Sequence, residues 1–386
     1  MTLRPLPLND PAIAVHGALD VERSSDAIRL RRLPAWTRAR SPEPAFELMA
    51  GMTSGVRLAF TTDATTIEIE VLTTGLEFVP EPRRPLVVDL HIDGTLAARR
   101  HLTGGRTIVL DGPAVRFAPG ESDLTRFEDL ADGMKAVELW LPHAGLTEVR
   151  ALRLSPGAVI QPNRAPRPLW AHYGSSISHG MEADGPSETW PAVASQRLGL
   201  DLLNLGFAGQ CHVDGFVART LRDLSPDVIS LKLGANVVAG DTMRRRVFAE
   251  AVHSFLDTVR DGGATIPILV ISPIYCGFLE THPGPVIRRP GPVYERLERP
   301  DSLADGAVSL SAVRDILSDL VDQRRKRGDP HLHYLDGRTL LGEAEAAGLA
   351  DHLHPDPDAH RRMGAQFAAM AETHHWLAGR DTPNQH

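Results

Sequence analysis

A change of rhythm at a run of prolines divides this chain into two folding problems. Before Ser155 the apolar residues recur at every second position: Val56, Leu58 and Phe60, then Ile67, Ile69 and Val71 alternating with Glu68 and Glu70. That period is what a strand with one buried face requires. Leu86 to Ile92 leads into Asp93-Gly94, a hairpin-turn signal, and further strands are legible at 107–110, 137–141 and 149–154. No long amphipathic helix interrupts them, so residues 1–160 read as an all-β sandwich of jelly-roll type. Ser155 to Pro168, with Pro156, Pro162, Pro166 and Pro168, has the composition of a linker.

From residue 161 onward strands and helices alternate. Strands are expected at 170–173, 201–205, 228–233, 266–272 and 333–335, and helices at 188–198, 243–260, 309–324 and 358–373. The run Val228 to Leu233 is apolar almost throughout, as suits a parallel strand covered on both faces. Within 243–260, Val247, Phe248, Val252, Phe255, Leu256 and Val259 are expected on one buried stripe. Gly262-Gly263 has the look of a helix C-cap. Such alternation implies a doubly wound α/β domain over 161–386 with a mainly parallel sheet, whose site lies at the carboxyl ends of the strands. Tyr275 to Asp305, rich in proline and arginine and poor in periodicity, reads as a long loop leaving that same end, a candidate wall or lid.

Composition narrows the function. The 386 residues carry a net charge of −8, which leaves no basic footprint for nucleic acid or anionic membranes. No segment is long and apolar enough to span a bilayer, and Pro5, Pro7 and Pro11 break the N-terminal run before it can act as a secretory signal. With Cys211 and Cys276 alone there is no disulfide framework, so a cytoplasmic setting is expected. The histidines at 331, 333, 352, 374 and 375 match no ligand spacing, and neither a metal nor a cofactor is expected.

Chemistry-bearing residues collect at the predicted strand ends. The first strand runs into Tyr173-Gly174-Ser175-Ser176-Ile177-Ser178-His179-Gly180, a glycine-flanked turn with a serine at its apex. The second ends in Asn204-Leu205-Gly206-Phe207-Ala208-Gly209, the third in Gly234-Ala235-Asn236, and Asp351-His352-Leu353-His354 precedes the last helix. A serine needs a base to become nucleophilic at neutral pH, and the base needs an acid to fix its tautomer. His354 and Asp351, three residues apart, can be that pair for Ser176. A developing oxyanion needs preorganised donors, which the amides of Ser176 and Gly209 and the side chain of Asn236 can supply. His179 and His212 are candidate substrate contacts by proximity.

These four blocks, in this order, resemble those of the SGNH hydrolase superfamily, the GDSL esterases and lipases, over roughly Trp170 to Trp376. The resemblance implies Ser176 as nucleophile, Gly209 and Asn236 as oxyanion-hole residues, and Asp351 and His354 as the rest of a triad. Two departures are visible: Ser175 precedes the nucleophile where aspartate is common, and Val237 follows Asn236 where aspartate is frequent.

Three functions stay open at this point. The pairing of this domain with an N-terminal sandwich resembles acyltransferases of tetracycline-type polyketide tailoring, which implies an acyl-CoA donor and a small-molecule alcohol acceptor for an aromatic acyl group. The same layout also occurs in esterases acting on acylated sugars, and the sandwich over residues 1–160 is expected to be of the carbohydrate-binding-module kind. A non-catalytic ligand-binding protein is the alternative of another class, and a complete triad argues against it.

Overall fold

The computed structural model describes residues 2–376 apart from 25, 41–42, 164–165, 263–264, 290, 292 and 375; Gly263, His375 and the segment 377–386 thus lie outside the described residues. The chain forms two compact units, one of Met1–Arg167 together with Asp184–Glu188, the other of Pro168–Ala183 and Thr189–His386.

The first unit is built from an eight-stranded and a six-stranded sheet. The larger is centred on Ile67–Phe78, which pairs antiparallel with Gly145–Leu154 across a bulge at Val149/Ala151 and parallel with Arg106–Asp111. In the smaller, Lys135–Trp140 lies between Arg57–Thr62 and Leu86–Ile92. The period-two pattern has its physical cause here: Leu58, Phe60, Ile67, Ile69, Val71, Val137 and Leu139 are fully buried, each side chain stabilising the unit by about 1.5–3 kcal/mol. Asp93 and Gly94 both have positive φ, 50° and 81°, and turn Leu86–Ile92 back onto Thr95–Leu102. On the opposite face of the smaller sheet the alternate residues are polar or aromatic, Arg57, Asp89, His91, Glu138 and Trp140. Asp89, with no exposed surface, accepts from Arg99 Nε (2.6 Å) and Nη2 (3.0 Å), and from the amide (3.2 Å) and hydroxyl (2.7 Å) of Ser187. The helix Pro44–Gly51 was not legible, being only eight residues long with a weakly amphipathic pattern.

The second unit holds a five-stranded parallel sheet in the order Asp201–Gly206, Leu169–Gly174, Val228–Lys232, Ile268–Ile271, Leu332–Leu335. The order reverses at the first strand, which opens a crevice at the carboxyl ends. Helices Trp190–Leu198 and Pro357–His374 pack together, as do Gly215–Leu224 and Arg245–Arg260. Trp170 from the first strand stacks on Phe367 of the closing helix with centroids 5.2 Å apart.

Three expectations need correction. Val247 is 55% exposed, because it falls a step of about 100° off the stripe formed by Phe248, Val252, Phe255 and Val259. Helix Gly215–Leu224 fills a stretch without a predicted element; it is short and ends where Ser225 takes a left-handed conformation before Pro226. The segment Tyr275–Asp305 is not a featureless loop: Val286–Arg289 pairs with Val293–Arg296 as a hairpin. Neither paired strand contains a proline, so the ladder between them keeps its donors. Among the described residues no helix is long and apolar enough to cross a membrane, and Cys211 and Cys276 are buried free thiols.

Candidate active site

Strand Leu169–Gly174 delivers Ser175 in extended conformation and Ser176 as the first residue of a one-turn helix, Ser176–His179, which Gly180 closes in the left-handed region. The need for glycine at 174 is spatial rather than conformational: a Cβ there would lie 2.4 Å from Ser178 Oγ. Because the amides of Ser178 and His179 both bond to the Ser175 carbonyl (3.0 Å each), the Ser176 amide precedes the first helical hydrogen bonds and is available to a ligand.

The loop before the closing helix brings the base to this serine. His354 Nε2 is 2.9 Å from Ser176 Oγ, and Nδ1 is 2.7 Å from Asp351 Oδ2. The other carboxylate oxygen of Asp351 accepts from the amides of Leu353 (3.0 Å) and His354 (2.6 Å). Burial alone would raise the Asp351 pKa, but the hydrogen bond and charge of His354 and these two amides hold it below the ordinary value. A carboxylate that stays ionised accepts a hydrogen bond from Nδ1–H and so keeps the proton on Nδ1, which leaves the Nε2 lone pair to accept the serine hydroxyl.

The oxyanion candidates follow two other strands of the same sheet, Gly209 after Asp201–Gly206 and Asn236 after Val228–Lys232. Gly209 has φ +71°, and an added Cβ would meet nothing within 4 Å, so glycine is wanted there for its dihedral alone. Asn236 lies in the first turn of helix Ala235–Gly240, and its Oδ1 accepts the Cys211 amide at 3.0 Å. That bond fixes the amide's orientation and leaves Nδ2, the donating end, for the crevice.

Beneath the serine runs a buried polar chain. Trp170 Nε1 donates to Ser230 Oγ (2.8 Å), which meets His172 Nδ1 (2.7 Å), whose Nε2 meets Ser178 Oγ (2.7 Å). Burial, with a contribution from the charge of Lys232, pushes the His172 pKa down to about 3, so this imidazole stays neutral and acts as a fixed prop for the serine's helix. Asn204 completes it, donating Nδ2 to the Ser178 carbonyl (2.8 Å) and accepting the Gly206 amide on Oδ1 (2.9 Å). His172, Asn204 and the Cys211 amide have no sequence signature of their role, since strand residues are not distinguishable by pattern once every position is buried.

The two histidines singled out as substrate contacts sit differently. His179 is fully buried, and its Nδ1 accepts the Ala208 amide at 3.4 Å, which ties the serine's helix to the Gly209 loop. His212 is near the surface, its Nε2 3.2 Å from the Gly209 carbonyl and its Nδ1 3.1 Å from Thr242 Oγ1. Among the described residues, Glu182, Asp351 and His354 form the group whose ligand atoms lie close enough, within 4.8 Å, to hold a metal ion. Both nitrogens of His354 are already engaged, so an ion there would have to displace Ser176 or Asp351. A cavity of about 350 Å³ beside this loop is lined by Tyr275, Phe278, Leu349 and His352.

Residues 172–362 match the model of the GDSL-like lipase/acylhydrolase family. The α/β unit is a GDSL domain. Among curated proteins none matches the chain in sequence. Several solved structures are similar to it in fold. The salicylyl-acyltransferase SsfX3 from a tetracycline biosynthetic pathway is similar at 27% identity with a TM-score of 0.83, over 98% of this chain and 99% of that one. A GDSL-like lipase from Bacteroides ovatus is similar at 19% identity with a TM-score of 0.69, over 98% of both chains. An acetyl xylan esterase from the rumen bacterium Butyrivibrio proteoclasticus is similar at 12% identity with a TM-score of 0.56, over 97% of this chain and all of that one; at these lower identities the likeness is one of fold. The GDSL domain makes this chain an enzyme of the serine esterase and acyltransferase class.

Proposed function

We propose that the protein is an acyltransferase that moves an aromatic acyl group from a coenzyme A thioester to a hydroxyl of a polycyclic small molecule in the cytoplasm. The observation that carries the serine chemistry is the unbroken chain from Ser176 Oγ through His354 to Asp351, with Asn236 turned to donate. Ser176 Oγ attacks the thioester carbonyl while His354 Nε2 takes its proton. The amides of Ser176 and Gly209 and Asn236 Nδ2 receive the negative charge on the carbonyl oxygen. Collapse breaks the C–S bond, and His354 returns the proton to the leaving thiolate. The acceptor hydroxyl then gives its proton to His354 and attacks the acyl-serine, and the proton returns to Ser176 Oγ as the new ester departs. Asp351 supports the imidazolium in both halves.

Transfer rather than hydrolysis is supported by the whole-chain likeness to the salicylyl-acyltransferase, at an identity above that of the esterases. The test is release of free thiol from an aromatic acyl-CoA with and without a polycyclic alcohol. Faster release and an ester product with the alcohol are expected. An equal rate with free acid as the product would make the protein an esterase, and the absence of fluorophosphonate labelling at Ser176 would make it a binding protein.

A further inference from the structure

The loop that carries the acid and the base is held mainly by itself. Its bonds, from His352 N to the Leu349 carbonyl, from Asp351 Oδ1 to the Leu353 and His354 amides, and the bridge between Leu349 and Pro355, are internal to residues 349–355. They fix the loop's shape. They do not fix its place relative to Ser176, which stands at the end of a different strand.

The hairpin Val286–Arg296 touches both sides of the site. Its base packs on the helix that carries Asn236: a Cβ on Gly284 would lie 2.4 Å from the Val238 carbonyl oxygen and 3.0 Å from that of Ala239. Leu297 N closes the base by donating to the Pro285 carbonyl at 2.8 Å, and the Arg299 guanidinium pairs with Asp241, the C-cap of that same helix. On the far strand, Tyr294 donates its amide to the Asp351 carbonyl at 3.1 Å, and its ring stands 5.2 Å from the His354 imidazole, centroid to centroid, with the planes at 77°. Cys276 gives separate support, its thiol 3.4 Å from the His352 carbonyl oxygen.

We infer that this hairpin braces the acid–base loop against the oxyanion helix, and that Tyr294 is a positioning residue whose ring keeps the His354 imidazole from turning away from Ser176 Oγ. The inference rests on the acyl-serine reading above. A ring packed nearly perpendicular to the imidazole restrains its orientation alongside the bonds to Asp351 and Ser176, so removing that ring loosens the imidazole. Since a displacement of about 1 Å at a reacting group can lower a rate by about 10²-fold, truncation at Tyr294 is expected to act on the reactivity of the serine without unfolding the unit.

The experiment measures the rate at which a fluorophosphonate probe labels Ser176 in the full chain, with Ser176→Ala as the blank and thermal unfolding of each variant alongside. Tyr294→Ala is expected to label about ten-fold or more slowly at an unchanged Tm, and Tyr294→Phe, which keeps the ring, at close to the wild-type rate. Tyr294→Leu, similar in bulk but not aromatic, is expected to be slow as well and serves if the alanine protein does not fold. Wild-type labelling with an unchanged rate in Tyr294→Ala, or a Tyr294→Phe protein as slow as Tyr294→Ala, overturns the brace while leaving the acyl-serine reading intact. A wild-type protein that does not label overturns that reading itself.

Discussion

Lys232 ends the central strand of the GDSL domain four residues before Asn236, and its replacement by methionine should stabilise the protein in a pH-dependent way. The side chain is 1% exposed and its ammonium finds no hydrogen-bond acceptor among the described residues. Burial pushes its pKa from the ordinary 10.5 down to about 7. A base whose folded-state pKa is depressed is bound to its proton more tightly in the unfolded chain, so unfolding takes up a proton between pH 7 and 10.5 and stability rises with pH across that window. At 1.36 kcal/mol per pH unit, the group destabilises the fold by about 5 kcal/mol below pH 7 and by nothing above 10.5. Between pH 6 and pH 9 the linkage relation gives a gain of a few kcal/mol from this one side chain. Lys232→Met keeps the length of the stem and removes the proton, so the unfolding free energy should rise most at pH 6, with the gap from wild type narrowing toward pH 9. Urea unfolding followed by the fluorescence of the buried Trp170 and Trp190 reads both numbers. Parallel pH profiles for the two proteins, or a loss of stability at pH 6 in the variant, would show that Lys232 is held as a partnered charge and that the reasoning fails.

The remaining predictions concern the site and its support. Ser176→Ala and His354→Ala should each abolish most turnover, and the double variant should be little worse than either, because the residues act as a unit; kcat/KM for the three proteins on one acyl thioester decides it. Asn236→Ala should lower kcat by roughly 10²- to 10³-fold with little change in KM, the usual effect of removing one oxyanion donor, and a changed KM with an intact kcat would make it a binding residue. Asn204→Ala removes the side chain that bonds the Ser178 carbonyl and the Gly206 amide, which should destabilise the domain by about 1–3 kcal/mol, measurable as a lowered urea midpoint.

The site was legible because its chemistry is written in short blocks at strand ends, where glycine, serine, asparagine and histidine interrupt apolar runs. Ser176, His354 and Asp351 form one hydrogen-bonded chain, and Gly209 and Asn236 stand at the ends of two other strands of the same sheet. What supports them was not legible. Asn204 and His172 sit inside strands buried on both faces, where a polar residue breaks no pattern that marks its partner. His179 suggested a ligand contact by nearness in sequence, yet the one-turn helix directs it inward. Tyr294 was hidden in a stretch whose prolines suppress any alternation, and a four-residue strand offers too few positions for the period to show. The β unit was clearer, since strands such as Ile67–Phe78 and Gly145–Leu154 alternate apolar with polar residues along their length.

The chain passes between its two units three times, after Arg167, after Ala183 and after Glu188. Five residues encoded between the nucleophile and the next helix are therefore structurally the property of the β unit, where Ser187 satisfies the enclosed carboxylate of Asp89 and Glu188 meets Arg99. A recombination event with one junction near residue 167 would separate a sequence from the partners it was selected to match, leaving Asp89 short of two donors in one product. The two halves are thus bound in inheritance as well as in cis: a foreign β unit can be grafted onto this GDSL domain only if the insert at 184–188 is exchanged with it, and substitutions at Asp89 and Ser187 should appear together across lineages.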